Sequence, residues 1–194
     1  YKISAGNLFI GYNEEIPLFI SHHLAYDPVT KNAESQFQID FLETWLVPKT
    51  EESFLWRQPS GILVSVPTNP QIPKTSIRAN RLSQSCIEII CSDNWRFCYT
   101  KGQLTSIRLP NGNVWAMLSQ TGRILKITEK STGNDNILLE GTYLSEKGQL
   151  SRLKTKSHEI FFTYEKGLVT SIEINPENRS KETYLFSYEN ELIT

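Results

Sequence analysis

Residues 160–174 read Ile160-Phe161-Phe162-Thr163-Tyr164-Glu165-Lys166-Gly167-Leu168-Val169-Thr170-Ser171-Ile172-Glu173-Ile174, and this stretch decides the fold. Ile160, Phe162 and Tyr164 alternate with Phe161 and Thr163, the period of two that a strand with one buried face requires. Lys166-Gly167 then breaks the run, and glycine supplies the positive φ that a tight turn needs. Beyond it Val169, Ser171 and Glu173 alternate with Thr170, Ile172 and Ile174. A strand, a glycine turn and a return strand account for the whole stretch.

The same phrase recurs. Gly102-Gln-Leu-Thr-Ser-Ile107, Gly122-Arg-Ile-Leu-Lys-Ile127, Gly148-Gln-Leu-Ser-Arg-Leu153 and Gly167-Leu-Val-Thr-Ser-Ile172 each place an aliphatic residue two and five positions after the glycine. The glycines stand 20, 26 and 19 residues apart. Aromatic strands lead into three copies, through Phe97-Cys-Tyr99, Tyr143 and Phe162-Thr-Tyr164. An incomplete fifth copy runs Phe186-Ser-Tyr188, Asn190, Leu192. Gly102, Gly122, Gly148 and Gly167 are thus expected at hairpin turns, and Pro110-Asn111-Gly112 supplies a further turn between units. A lone hairpin is marginal in water, so the units must stack edge to edge. The expectation is an all-β chain with under about 10% helix, against a base rate near one third.

Aromatic-x-Tyr, a short polar step, Gly-x-aliphatic-Thr-Ser-Ile and Pro-Asn-Gly together resemble the RHS or YD repeat. That repeat occurs in bacterial polymorphic toxins, the C components of insecticidal toxin complexes and animal teneurins. The usual Tyr-Asp pair is replaced here by Tyr99-Thr100, Tyr164-Glu165 and Tyr188-Glu189. Gly6-Asn7-Leu8, Pro17-Leu18, Tyr26, Trp56 and Pro59-Ser60-Gly61 are similar to the segment that precedes the repeats in such proteins. The resemblance implies a curved antiparallel strip of stacked β-hairpins, which in long members closes into a shell around a cargo. Four or five repeats are too few to close one, so the strip expected here is open. No counterpart of the family's C-terminal self-cleavage element is present; Asp27-Pro28 is the only Asp-Pro.

Pro67, Pro70 and Pro73 mark the expected boundary, with an N-terminal β segment over 1–75 and the repeats over 76–194. Between them Phe37 to Leu46 fits strand or helix, and strand is favoured. The chain has 194 residues, 39% hydrophobic and 21% charged, which suits a globular protein. A net charge of -1 leaves no surplus for phosphates, so nucleic acid is a poor partner. No apolar run approaches the roughly 18 residues of a membrane helix. The first residue is Tyr1, which points to a removed leader or a longer parent chain.

Reactive chemistry finds little support. His22 and His23 adjoin, so on a strand they face opposite ways, and His158 stands apart. No metal site and no cofactor are expected. Cys86, Cys91 and Cys98 are an odd set without a C-x-x-C pair and read as free thiols; a turn at Asp93-Asn94 would put Cys98 beside Ile89. Asp40 with Glu43, Glu14-Glu15 and Glu51-Glu52 are the carboxylate sets a hydrolase would need, and the latter two read as solvated turns. No nucleophile elbow, P-loop or dinucleotide fingerprint occurs. Trp45, Trp56, Trp95 and Trp115 could stack sugars, although short β repeats also use aromatics as core.

The leading expectation is therefore a non-catalytic β-scaffold, a stretch of a secreted or surface RHS/YD-type protein with a structural or encapsulating role. A carbohydrate- or cell-surface-binding module is the alternative, and a hydrolase on a β scaffold the weakest reading. The expected partner is more repeat chain, or a second copy, pairing at the C-terminal edge around residues 184–194.

Overall fold

The computed structural model describes residues 2–9, 19–27, 32–39, 42, 44–68, 77–120, 123–130, 134–144, 149–189 and 192–193. The chain is all-β, its strands pair antiparallel, and the largest of its sheets is open rather than closed into a barrel. No α-helix occurs among the described residues. The ambiguous stretch resolves as strand up to Ile39 and strand again from Trp45.

In chain order the strands are β1 (Lys2–Phe9), β2 (Phe19–Asp27), β3 (Asn32–Ile39), β4 (Trp45–Thr50), β5 (Ser53–Arg57), β6 (Leu63–Pro67), β7 (Ile77–Arg81), β8 (Cys86–Cys91), β9 (Arg96–Thr100) and β10 (Gln103–Arg108). They continue as β11 (Val114–Gln120), β12 (Arg123–Lys130), β13 (Asp135–Tyr143), β14 (Leu150–Thr155), β15 (His158–Glu165), β16 (Leu168–Pro176), β17 (Glu182–Leu185), β18 (Tyr188–Glu189) and β19 (Leu192–Ile193). Two compact units result: residues 41–137 form one, and residues 1–40 with 138–194 the other. This division differs from the boundary drawn at the prolines, of which Pro70 and Pro73 lie outside the described residues. The reason is pairing: β4 joins β10 through Trp45 and Gln103, which ties the segment before the prolines to the repeats after them.

In the unit 41–137, β10 has β9 along one side, and on the other β11 opposite Ser106–Arg108 and β4 at Gln103. Two leaves, β4-β5-β6 and β9-β8-β7, therefore diverge from one strand. Phe54, Trp56 and Val66 from the first leaf and Ala79, Ile87, Ile89, Phe97 and Tyr99 from the second are all buried. The leaves meet through the Trp56 and Phe97 rings, 5.4 Å apart, and the Arg81 guanidinium 5.8 Å from the Phe54 ring. In the other unit, β1-β2-β3 form one sheet and β13 to β17 pair in sequence order. Ile20, Leu24 and Ile39 are buried there, as are Leu139, Leu153, Ile160, Phe162 and Ile172.

The turns follow two designs. Lys101-Gly102 and Lys166-Gly167 are two-residue loops in which both residues have positive φ, at 51° and 79° and at 50° and 87°. That is the type I′ turn, whose twist matches that of the strands it joins. Gly122 and Gly148 lie outside the described residues. The second design is a three-residue loop ending in a left-handed residue: Gly61, Asn94 and Gly112, at φ 82°, 65° and 92°. Each donates its N–H three residues back, to Gln58, Cys91 and Leu109. Because Ser92-Asp93-Asn94 is a three-residue loop, Cys98 falls opposite Glu88, and Phe97 rather than Cys98 is beside Ile89.

The return strands correct the simple alternation expected after each glycine. A residue two places and one five places past the turn would face opposite ways in a regular strand. Leu104 and Ile107, Leu150 and Leu153, and Val169 and Ile172 are nevertheless all buried. An extra residue three places past each glycine restores the parity. Leu104 pairs Tyr99 and Ser106 pairs Cys98, so Thr105 is a bulge. By the same register Leu125, Ser151 and Thr170 are the bulged residues of β12, β14 and β16. Three of the four carry a hydroxyl that bonds across the ladder: Thr105 to the Cys98 carbonyl at 3.1 Å, Ser151 to Thr142 at 3.0 Å, and Thr170 to Thr163 at 3.3 Å.

Candidate functional site

Two polar nodes sit inside the units, one in each. In the unit 41–137, the Trp56 indole N–H donates to the Tyr99 hydroxyl at 2.7 Å, and that hydroxyl donates to Thr44 Oγ1 at 2.8 Å. Tyr99 comes from an aromatic strand and Thr44 from the start of the first leaf, so the chain of bonds fastens the leaf to the repeat. Burial is the main cause raising the Tyr99 hydroxyl above the usual tyrosine range. The adjacent Gly102 carbonyl accepts the Leu46 N–H at 3.3 Å, which ties the same leaf to the turn.

The second node is in the unit formed by 1–40 and 138–194. Ser35 Oγ accepts the Val169 N–H at 2.9 Å and lies 3.0 Å from His22 Nε2 and 3.5 Å from the Tyr188 hydroxyl. The Gly167 carbonyl accepts the Ser35 N–H at 2.9 Å and the Gln149 side-chain amide at 2.6 Å. The His22 ring stacks on Phe37 at 4.6 Å and meets the edge of Phe186 at 5.8 Å. A serine within bonding distance of a histidine is the pair that nucleophilic catalysis uses. Here Ser35 is 0% and His22 4% exposed, and Ser35 Oγ already holds a backbone amide. The pair joins β2, β3 and β16 in a buried position.

This node also changes the picture of the C-terminal segment. Phe186 donates its backbone N–H to Thr170 at 3.0 Å, and its ring meets His22; Tyr188 reaches Ser35. Residues 186 and 188 thus have neighbours in the chain's own N-terminal strands, whereas the whole of β17 is exposed.

Of the four tryptophans read as possible stacking platforms, Trp56 and Trp115 are 2% and 3% exposed and present no face to a ligand. Trp45 and Trp95 are half-buried. Trp95 packs against Phe97 at 6.3 Å and Trp115 at 5.9 Å, which makes it the rim of the core. Glu51-Glu52 form an exposed turn, while Glu14, Glu15, Asp40 and Glu43 lie outside the described residues.

The three cysteines are free thiols. Burial, reinforced by Asp93, pushes Cys91 up to about 11, and burial also raises Cys98. Both stay protonated at neutral pH and are poor nucleophiles. Among the described residues, no group of three or more His, Cys, Asp or Glu could hold a metal ion, and no helix is long and apolar enough to cross a membrane. Comparison with known families and with curated proteins finds no match.

Sequence reasoning passed over Ser35 and Gln149. Ser35 stands in no motif and its partner Val169 lies 134 residues away, while Gln149, though inside the Gly148 repeat copy, reaches Ser35 and Gly167, 114 and 18 residues away.

Proposed function

We propose that this chain is a non-catalytic β-scaffold, a stretch of RHS/YD-type hairpin repeats serving a structural or encapsulating role in a secreted or surface-exposed bacterial protein. One observation carries the reading: the hairpin ending at Gly102 and the one ending at Gly167 share the same Lys-Gly turn, the same aromatic pairs and the same bulge. Phe97 and Phe162 face Ile107 and Ile172, and Tyr99 and Tyr164 face Leu104 and Val169. Such economy suits a module built for stacking. The exposed strand β17, with Leu185 81% exposed, is where a further hairpin or a second copy would pair.

The test is to isolate the polypeptide from its native source and determine its mass and structure. Further hairpins in the same register, shielding a protease-resistant cargo, are the expected result. A chain without further hairpins that turns over a substrate would end the scaffold reading.

A further inference from the structure

The outward face of β7 to β12 carries a row that no packing argument explains. Cross-strand partners run Arg78, Ile90, Arg96, Arg108, Val114, Lys130, one residue from each of six adjacent strands. At about 4.8 Å per strand the four cations span about 24 Å in a line. Arg78, Arg108 and Lys130 are exposed and Arg96 half-exposed. Glu88 pairs with Arg96 at 3.6 Å, and Asp135 with Lys130. Among the described residues no acid pairs with Arg78 or Arg108. Arg96 and Arg108 are direct partners, a placement of like charges that destabilises a sheet.

The outward face of the other unit is built the opposite way. There Glu140, Lys154 and Glu159 are successive partners of alternating sign, Arg152 pairs with Glu159 and Lys181 with Glu173. The balance of charge differs accordingly. Residues 41–137 hold eleven Lys and Arg against seven Asp and Glu, whereas the remainder holds nine against fourteen. The net charge of -1 hides a unit of +4.

We propose that this face binds a linear acidic polysaccharide laid along the cation row. Guanidinium forks pair bidentately with carboxylate or sulfate, and a straight row favours a polymer with an anion at regular intervals. The neighbouring row on the same face runs Asn80, Glu88, Cys98, Ser106, Ala116 and Thr128. The short polar side chains of Asn80, Ser106 and Thr128 can meet sugar hydroxyls, while Glu88 is buried against Arg96. Single-stranded nucleic acid requires exposed aromatics for its bases, and Phe97, Tyr99 and Trp115 of these strands are buried. Binding at this face is independent of whether the hairpins also form a scaffold.

Calorimetry with polygalacturonate at low ionic strength tests the proposal, using dextran as the neutral polymer and oligothymidylate as the nucleic acid. The wild-type chain binds polygalacturonate and not dextran, and added salt weakens the binding. R78S/R108S lowers affinity at least tenfold, while Lys154→Ser on the other unit leaves it unchanged. Both sets of residues are exposed, and far-ultraviolet spectra verify that the variants fold. Failure of the wild type to bind polygalacturonate, or equal binding by R78S/R108S, overturns the proposal. Tighter binding to oligothymidylate than to polygalacturonate overturns the choice of occupant.

Discussion

At the scale of single residues, stability rests on a few backbone positions and buried hydrogen bonds. Gly102 and Gly112 both have positive φ, at 79° and 92°, but their surroundings differ. A Cβ on Gly102 would stand 2.8 Å from the Leu46 carbonyl oxygen, whereas one on Gly112 meets nothing within 4 Å. Gly112→Ala should therefore cost only the left-handed penalty of about 1–2 kcal/mol. Gly102→Ala should cost more, because the Leu46 carbonyl must also move; urea unfolding of the two variants measures the difference. Ser35→Ala leaves the Val169 N–H without its acceptor in a buried site. The expected loss is about 1–3 kcal/mol by the same measurement. A variant as stable as the parent would mean that the node does not fasten β3 to β16.

The element that distinguishes this chain is the bulged hairpin, and it explains the odd spacing of its aliphatic residues. Deleting Thr170 converts β16 to a regular strand and turns Ile172 and Ile174 outward, a loss of about 3–6 kcal/mol at about 1.5–3 kcal/mol for each side chain. Thr170→Val keeps the bulge and removes one hydrogen bond, so about 0.5–1.5 kcal/mol is expected. Comparable losses in equilibrium unfolding would contradict the role given to the bulge. The turns at Gly102 and Gly167 and the inward Phe97, Tyr99 and Phe162 were legible in the sequence because their causes are local: a period of two and a glycine. The bulge was written there too, in aliphatics three apart, but plain alternation assigns Val169 and Ile172 to opposite faces. Contacts such as Ser35 with Val169 and Leu46 with Gly102 left no trace, since they join strands remote in sequence. For the same reason nothing local separated Trp56, a core residue, from Trp45, which is half-buried.

For the molecule as a whole, burial of weak acids makes stability fall at high pH. Burial is the main cause raising Cys91, Cys98, Tyr99 and Tyr164 in the folded chain. A group with a raised folded value holds its proton longer folded than unfolded, so stability is lost as pH climbs past the unfolded value. For Cys91 that loss begins near its ordinary value of 9.0 and is complete above about 11. The urea midpoint should be insensitive to these groups near pH 7 and decline above pH 9, and Cys91→Ala should reduce the decline. A far-ultraviolet spectrum should carry no strong helical bands. The central claim is that one hairpin, bulged three residues past its glycine, is built repeatedly along the chain. Cross-strand nuclear Overhauser effects on isotope-labelled protein test it most directly. They should link Leu104 to Tyr99, Ser106 to Cys98 and Ile107 to Phe97, and likewise Val169 to Tyr164, Ser171 to Thr163 and Ile172 to Phe162. Thr105 facing Cys98 and Thr170 facing Thr163 as ordinary ladder pairs, with Ser106 and Ser171 shifted onto Phe97 and Phe162, would contradict it.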